Sequence, residues 1–264
     1  MGTRVIGFTH VFAGIGGAGS NVVDGITSDV VKVRINPGLY LLRTEAYTTK
    51  MRSFFSSLPE NSILWIVTED KPVNAEILRL IAESSPEGTT RLAYVFTPYR
   101  ELVKEKKPEW ASLFDTVFYD SLWEFLDEKK PLSEAYREAS GVIARALTSL
   151  HFNLEGQMLI NIDYADFFAV VKGGNVGILR LLRKVNFDWH WGIWDRGIVM
   201  TLVREDVELK AAHSVLKKFH DLLREKDIIW GMTTEKGTPN RMEILALLVK
   251  RWGDDGGAGE SGTV

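Results

Sequence analysis

The chain has 264 residues, 45% hydrophobic and 25% charged, the makeup of a packed globular protein long enough for one large domain or two modest ones. A formal net charge of −3 leaves no basic surplus to neutralise phosphates, so nucleic acid is not an expected partner. The absence of cysteine excludes disulfides, thiolate metal sites and thiol catalysis together, and a reducing cytoplasm is the expected setting.

Thr9, His10 and clustered glycines interrupt the apolar start, so no secretory leader is expected, and no apolar run approaches membrane-spanning length. In chain order, short apolar runs predict strands at 4–8, 30–35, 63–68, 92–96 and 116–119, each of the kind buried on both faces of a sheet. Helical periodicity falls at 75–83 and 133–150, the second with Ala135, Ala139, Val142, Ala146 and Leu150 on one stripe. The alternation predicts an α/β parallel sheet covered by helices on both faces. Beyond residue 167 the expected order is a helix at 168–182, a strand at 197–203, a helix at 207–225 and strands at 227–233 and 242–249. That order suggests a smaller α+β lobe. The expected division is a nucleotide-binding-type domain at 1–132, a connecting helix at 133–150, a contact loop and reduced C-terminal domain at 151–252, and a disordered Gly-rich tail at 253–264.

Gly14, Gly16, Gly17, Ala18 and Gly19 precede Ser20 and Asn21, where a helix could begin. Glycines let the backbone approach a phosphate, and a following helix N-terminus adds free N–H donors. Three readings stand: a dinucleotide loop, another nucleotide-phosphate loop, or tight packing of helix on strand. A dinucleotide site wants an acid about 20 residues on. Asn36 stands there, which makes an NAD-binding oxidoreductase the outsider.

The run GIGGAGSN at 14–21 resembles the first nucleotide loop of FtsZ, and Asn36 resembles the Asn after that family's second strand. Asn161-Ile162-Asp163-Tyr164-Ala165-Asp166 is similar to the NxDxxD loop with which an FtsZ subunit reaches its neighbour's nucleotide. Phe96 to Tyr99, the helix at 131–147 and Ile228-Ile229-Trp230-Gly231 fall into register with the same family. The chain is thus identified as a divergent, shortened member of the tubulin/FtsZ superfamily, with a two-lobe tubulin/FtsZ-like fold. The resemblance implies nucleotide contacts by Gly14, Gly16, Gly17, Ala18, Gly19, Asn21 and Asn36. It also implies base contacts by Tyr136 and Ser140, and catalysis in trans by Asn161, Asp163 and Asp166. Capping of a helix that begins near Asp166 is the alternative role for Asn161 and Asp163.

The departures matter as much. Where the family has a second glycine-rich loop, GGGTGTG or close to it, this chain reads Ile66-Val67-Thr68-Glu69-Asp70-Lys71-Pro72-Val73-Asn74. Carboxylates there repel terminal phosphates, and Pro72 removes a backbone donor. Only about 26 residues lie between Asn36 and the third strand, and the link from 182 to 197 is short. Ser140 cannot present the paired donor and acceptor of an amide. The resulting expectation is a non-hydrolysing partner, cap or regulator that associates head-to-tail with itself or with an FtsZ-type subunit. A reduced GTPase is the alternative, with GTP or GDP held weakly and Mg2+ present only with a triphosphate. No metal site is expected, because His213 and His220 alone share a helix and are seven residues apart. The aromatic run at 187–194 is expected to pack over the smaller lobe.

Overall fold

A computed structural model describes residues 7–42, 45–97, 107–126, 129–156, 162–182, 193–234 and 241–253. Among them, strands β1 (Thr9–Ile15), β2 (Val31–Ile35), β3 (Ser62–Glu69), β4 (Thr90–Thr97), β5 (Thr116–Ser121), β6 (Asn175–Leu182), β7 (Arg196–Val203), β8 (Asp227–Thr234) and β9 (Met242–Arg251) form one sheet. Its order is β2-β1-β3-β4-β5-β6-β9-β7-β8. From β2 to β6 every pairing is parallel; β9 runs antiparallel to both β6 and β7, and β7 and β8 are parallel.

Helices α1 (Gly16–Gly25), α5 (Leu132–Glu155) and α6 (Tyr164–Val171) cover one face of the parallel half. Val22, Val23, Ile143, Leu147 and Phe167 pack there on Phe12, Trp65, Tyr94 and Phe118. Helices α3 (Glu45–Ser56) and α4 (Pro72–Ser84) cover the other, setting Phe55, Ile77 and Ile81 on Val11, Ala13, Leu64, Ile66 and Ala93. Successive residues of β1 thus serve opposite cores, and buried runs such as SILWIVT need no polar alternation. Near the C-terminus, α7 (Leu209–Leu222) sets Phe219 beside Ile178, Val199, Ala246 and Leu248. Trp194 joins that cluster, while residues 187–192 of the expected aromatic run lie outside the described ones.

Two expectations are corrected. Of the strand expected at 4–8, residues 4–6 lie outside the described ones and Gly7 and Phe8 are not strand; the described strand β1 is Thr9–Ile15, where the buried run HVFAGI pairs on both sides with β2 and β3. The helix expected at 168–182 ends at Val171, where Gly173 and Gly174 at φ 109° and 74° turn the chain into β6. Only glycine holds such angles without strain. The new strand extends the parallel half beyond β5 at Thr116–Phe118 and joins it to the antiparallel β9. A buried pair reinforces the junction: Arg180 of β6 grips Asp120 of β5 with both Nε and Nη2.

Candidate functional site

The chain leaves β1 for β2 on one side and returns to β3 on the other. The C-terminal ends of β1 and β3 therefore form a topological switch point, where open α/β sheets bind ligands. The glycines there divide into two kinds. Gly14 is still in β1, and a Cβ on it would come within 2.6 Å of the Gly19 backbone; a Cβ on Gly19 would lie 2.2 Å from the Val67 carbonyl oxygen. These two let α1 press against β1 and β3. Gly17 has nothing within 4 Å of such a Cβ, and Gly16, at φ 74°, has only Pro37 at 3.8 Å. These two face open space at the helix N-terminus, where Ile15 supplies no side-chain cap and the first turn carries no acid. An open hollow of about 310 Å³ lies over them, lined by Gly16, Gly17, Ser20, Arg34, Ile35, Asn36 and Pro37. Asn36 Oδ1 accepts from the Gly38 N–H at 2.8 Å and starts a short helix, α2 (Pro37–Leu41). The helix dipole suits the hollow to an anion, while the Arg34 guanidinium on its wall is already paired through Nε with Asp24 at 2.7 Å.

On the other side of β1 the turn after β3 is closed on itself. Lys71 pairs with the Glu69 carboxylate, Tyr119 donates to Asp70, and the Asn74 side chain donates to the Glu69 carbonyl at 3.1 Å. The Asp70 N–H donates to the Phe96 carbonyl at 3.1 Å and the Lys71 N–H to the Glu69 carbonyl at 3.0 Å. Pro72, at the first position of α4, has no N–H to offer. The Asp70 amide is thus spent on Phe96 of β4 and the Lys71 amide within the turn, so neither is offered to an anion.

The opposite end of β1 holds a second polar corner. Tyr164, the first residue of α6, meets His10 Nε2 through its hydroxyl at 2.9 Å, and its ring lies 4.5 Å from that of Phe8. Asp163 caps α6: its carboxylate accepts from the Asp166 N–H at 2.9 Å, and Asp166 accepts in return from the Asp163 N–H at 3.2 Å. Each acid bonds through one oxygen and keeps another. The loop is anchored from behind by Ile162, which fills the space left by Gly231 of β8; a Cβ on Gly231 would lie 2.6 Å from Ile162 Cδ1. From His10 to Ile15 the strand advances roughly 17 Å at about 3.3 Å per residue, so the two corners stand at opposite ends of the sheet.

No family model matches the chain. It is 25% identical over 179 residues to the cell division protein FtsZ 2 of Pyrococcus furiosus, an alignment covering 61% of this chain and 42% of the relative. It is 24% identical over 209 residues to FtsZ 2 of Methanocaldococcus jannaschii, covering 69% and 53%. The chain thus spans about half the length of these curated relatives or less. Among solved structures, an empty FtsZ dimer from M. jannaschii superposes with a TM-score of 0.70 at 18% identity, over 95% of this chain and 92% of that one. A CetZ from Methanosaeta thermophila gives 0.61 at 13% identity, over 92% and 86%. The chain has the tubulin/FtsZ-like fold and is similar in sequence to FtsZ 2 proteins.

Of the residues for which the FtsZ resemblance implies roles, Gly16, Gly17 and Asn36 line the hollow. Gly14 and Gly19 pack strand to helix, and Ala18 and Asn21 lie on α1 without lining it. Tyr136 is exposed on α5 and Ser140 half-buried one turn on; neither lines the hollow. Asp163 and Asp166 form the capping box at the far end, and Asn161 lies outside the described residues, as do Pro98 and Tyr99. Arg34 and Pro37 line the hollow although sequence reasoning passed over them. The basic residue two before Asn36, at the end of a strand adjoining the glycine corner, was the available signal.

Proposed function

We propose that this chain is a non-hydrolysing, cytoplasmic assembly partner of FtsZ-type filaments, able to cap or regulate them, acting head-to-tail on an FtsZ-type subunit or on a second copy of itself. The observation that carries the reading is the opposition of the two corners. At one end stands the acidic capping box that starts α6, with Asp163 and Asp166 each keeping an oxygen to offer a neighbour. At the other end is a phosphate corner whose second half, residues 69–72, is closed by its own hydrogen bonds. Such a subunit can complete another's site while its own supports no further growth. A heterologous contact of this kind makes a chain wherever the rotation does not close. The relatives' descriptions as cell division proteins and dimers support the same direction. Sedimentation with an FtsZ-type partner and GTP tests it. Co-pelleting or a change in filament length is expected. If neither is seen, and the chain alone does not self-associate, the proposal fails.

The open hollow over Gly16 and Gly17 favours a second reading, a reduced GTP-binding protein that assembles by itself. Calorimetric titration with GTP and GDP separates the two. Binding of both nucleotides with equal affinity would indicate that the terminal phosphate is not held. Tighter binding of GTP with Mg2+, followed by turnover, would favour the GTPase.

A further inference from the structure

We propose that His10, His151 and Glu155 form a binding site for one divalent transition-metal cation of the zinc type, at the end of the sheet opposite the glycine corner. The three residues each bring a ligating atom to within 4.8 Å of the others. His10 Nε2 lies 3.9 Å from Glu155 Oε1, and the two imidazole rings have centroids 4.4 Å apart. Two imidazoles and one carboxylate are the donor set of three-ligand zinc sites, which leave a further position open; calcium and magnesium prefer all-oxygen surroundings. His151 and Glu155 stand four apart on the last turn of α5 and share a helix face. His10 arrives from β1, so the helix and the strand would be joined through the cation.

The cluster without a cation is incompletely bonded. Nδ1 of His10 and Nδ1 of His151 are both buried without a hydrogen-bond partner. Leaving such buried atoms unpaired is destabilising. Both rings are held in the neutral form that ligates: burial and then the nearby His151 push His10 down to about 3, and burial also lowers His151. The Tyr164 hydroxyl bridges His10 Nε2, at 2.9 Å, and Glu155, so a cation held between those two atoms would displace it or take it as a further ligand. The Glu155 side chain is 45% exposed and gives the ion a route from solvent. The site does not depend on the assembly reading.

The test uses the full chain, stripped with a chelator and titrated with Zn2+ in competition with a chromophoric chelator, then with Co2+ followed by its visible spectrum. One equivalent of Zn2+ is expected with a Kd below about 10 µM. His151→Ala and Glu155→Gln should each weaken it by at least about tenfold and abolish the Co2+ bands, while their circular dichroism without metal stays that of the parent. A His213→Ala, His220→Ala double variant should bind as the parent does. Binding weaker than about 100 µM, binding that survives both cluster variants, or binding lost only in the His213, His220 pair would each overturn the proposal.

Discussion

Gly17→Ala and Gly19→Ala are the same chemical change two residues apart in α1, and the structure assigns them opposite consequences. At Gly19 the new methyl would stand 2.2 Å from the Val67 carbonyl oxygen and 3.0 Å from its carbon, both backbone atoms of a central strand. An ordinary carbon–oxygen contact needs about 3.3 Å, so α1 has to move by on the order of 1 Å. That shift opens the packing of Val22 and Val23, both wholly buried. Overpacking costs about 1–3 kcal/mol, and with no flexible side chain to yield, a loss near the upper figure is expected. At Gly17 a methyl meets nothing within 4 Å, and the residue does not have a positive φ. Its replacement should be neutral or stabilise the helix by up to about 1 kcal/mol. Guanidinium denaturation at constant m value reads both. Equal midpoints for the two variants, or a Gly19→Ala protein as stable as the parent, would refute the division of the glycines into packing and open positions.

Three more outcomes are expected. Arg180→Ala strands the buried Asp120 carboxylate beside Tyr94 and should destabilise by about 3–5 kcal/mol, with Asp120→Leu plus Arg180→Met recovering most of the loss; a single-variant cost under about 1 kcal/mol contradicts this. Asp163→Ala should cost about 1 kcal/mol by removing the cap, while Asp163→Asn keeps the cap. If the carboxylate acts on a neighbouring subunit, Asp163→Asn nonetheless loses co-sedimentation with an FtsZ-type partner; retention there would limit Asp163 to capping. In metal-free protein, His10, faced by His151 and Glu155 of α5 and Tyr164 of α6, refuses a proton down to about 3, against 6.5 when unfolded. The unfolded chain therefore binds the extra proton, and stability falls as pH drops from about 6.5 toward 3, by at most roughly 5 kcal/mol. Urea titrations of the parent and His10→Gln across that range should diverge, with the parent the more acid-sensitive.

The strands β3 and β4 were legible because a parallel strand buried on both faces reads as an apolar run between turn residues, and SILWIVTE and TRLAYVFT do so, whereas β2, VKVRI, is a largely exposed edge strand that shows only by its alternation. β6 was not, because FFAVV and NVGILRLL have the same composition and only Gly173 and Gly174 mark the change from helix to strand. β1 was read too early because Gly14 looks like a loop residue. It is a strand residue whose missing side chain lets Gly19 approach. The two acids three apart at Asp163 and Asp166 were visible as a motif and as a capping box, since both need that spacing. His10 and His151 could not be joined by inspection, because 141 positions separate them and only the fold brings the C-terminal end of α5 beside the start of β1. The half that lay in plain sequence is His151 and Glu155, an i, i+4 pair passed over while a second histidine was sought.

With its glycine corner at one tip of β1 and the capping box of α6 at the other, the molecule has a front and a back of different chemistry. If it joins a neighbour head-to-tail, as proposed, it joins with a direction. A chain of this design would act on one terminus of a polymer and leave the other untouched, so its effect on length should depend on which terminus is growing.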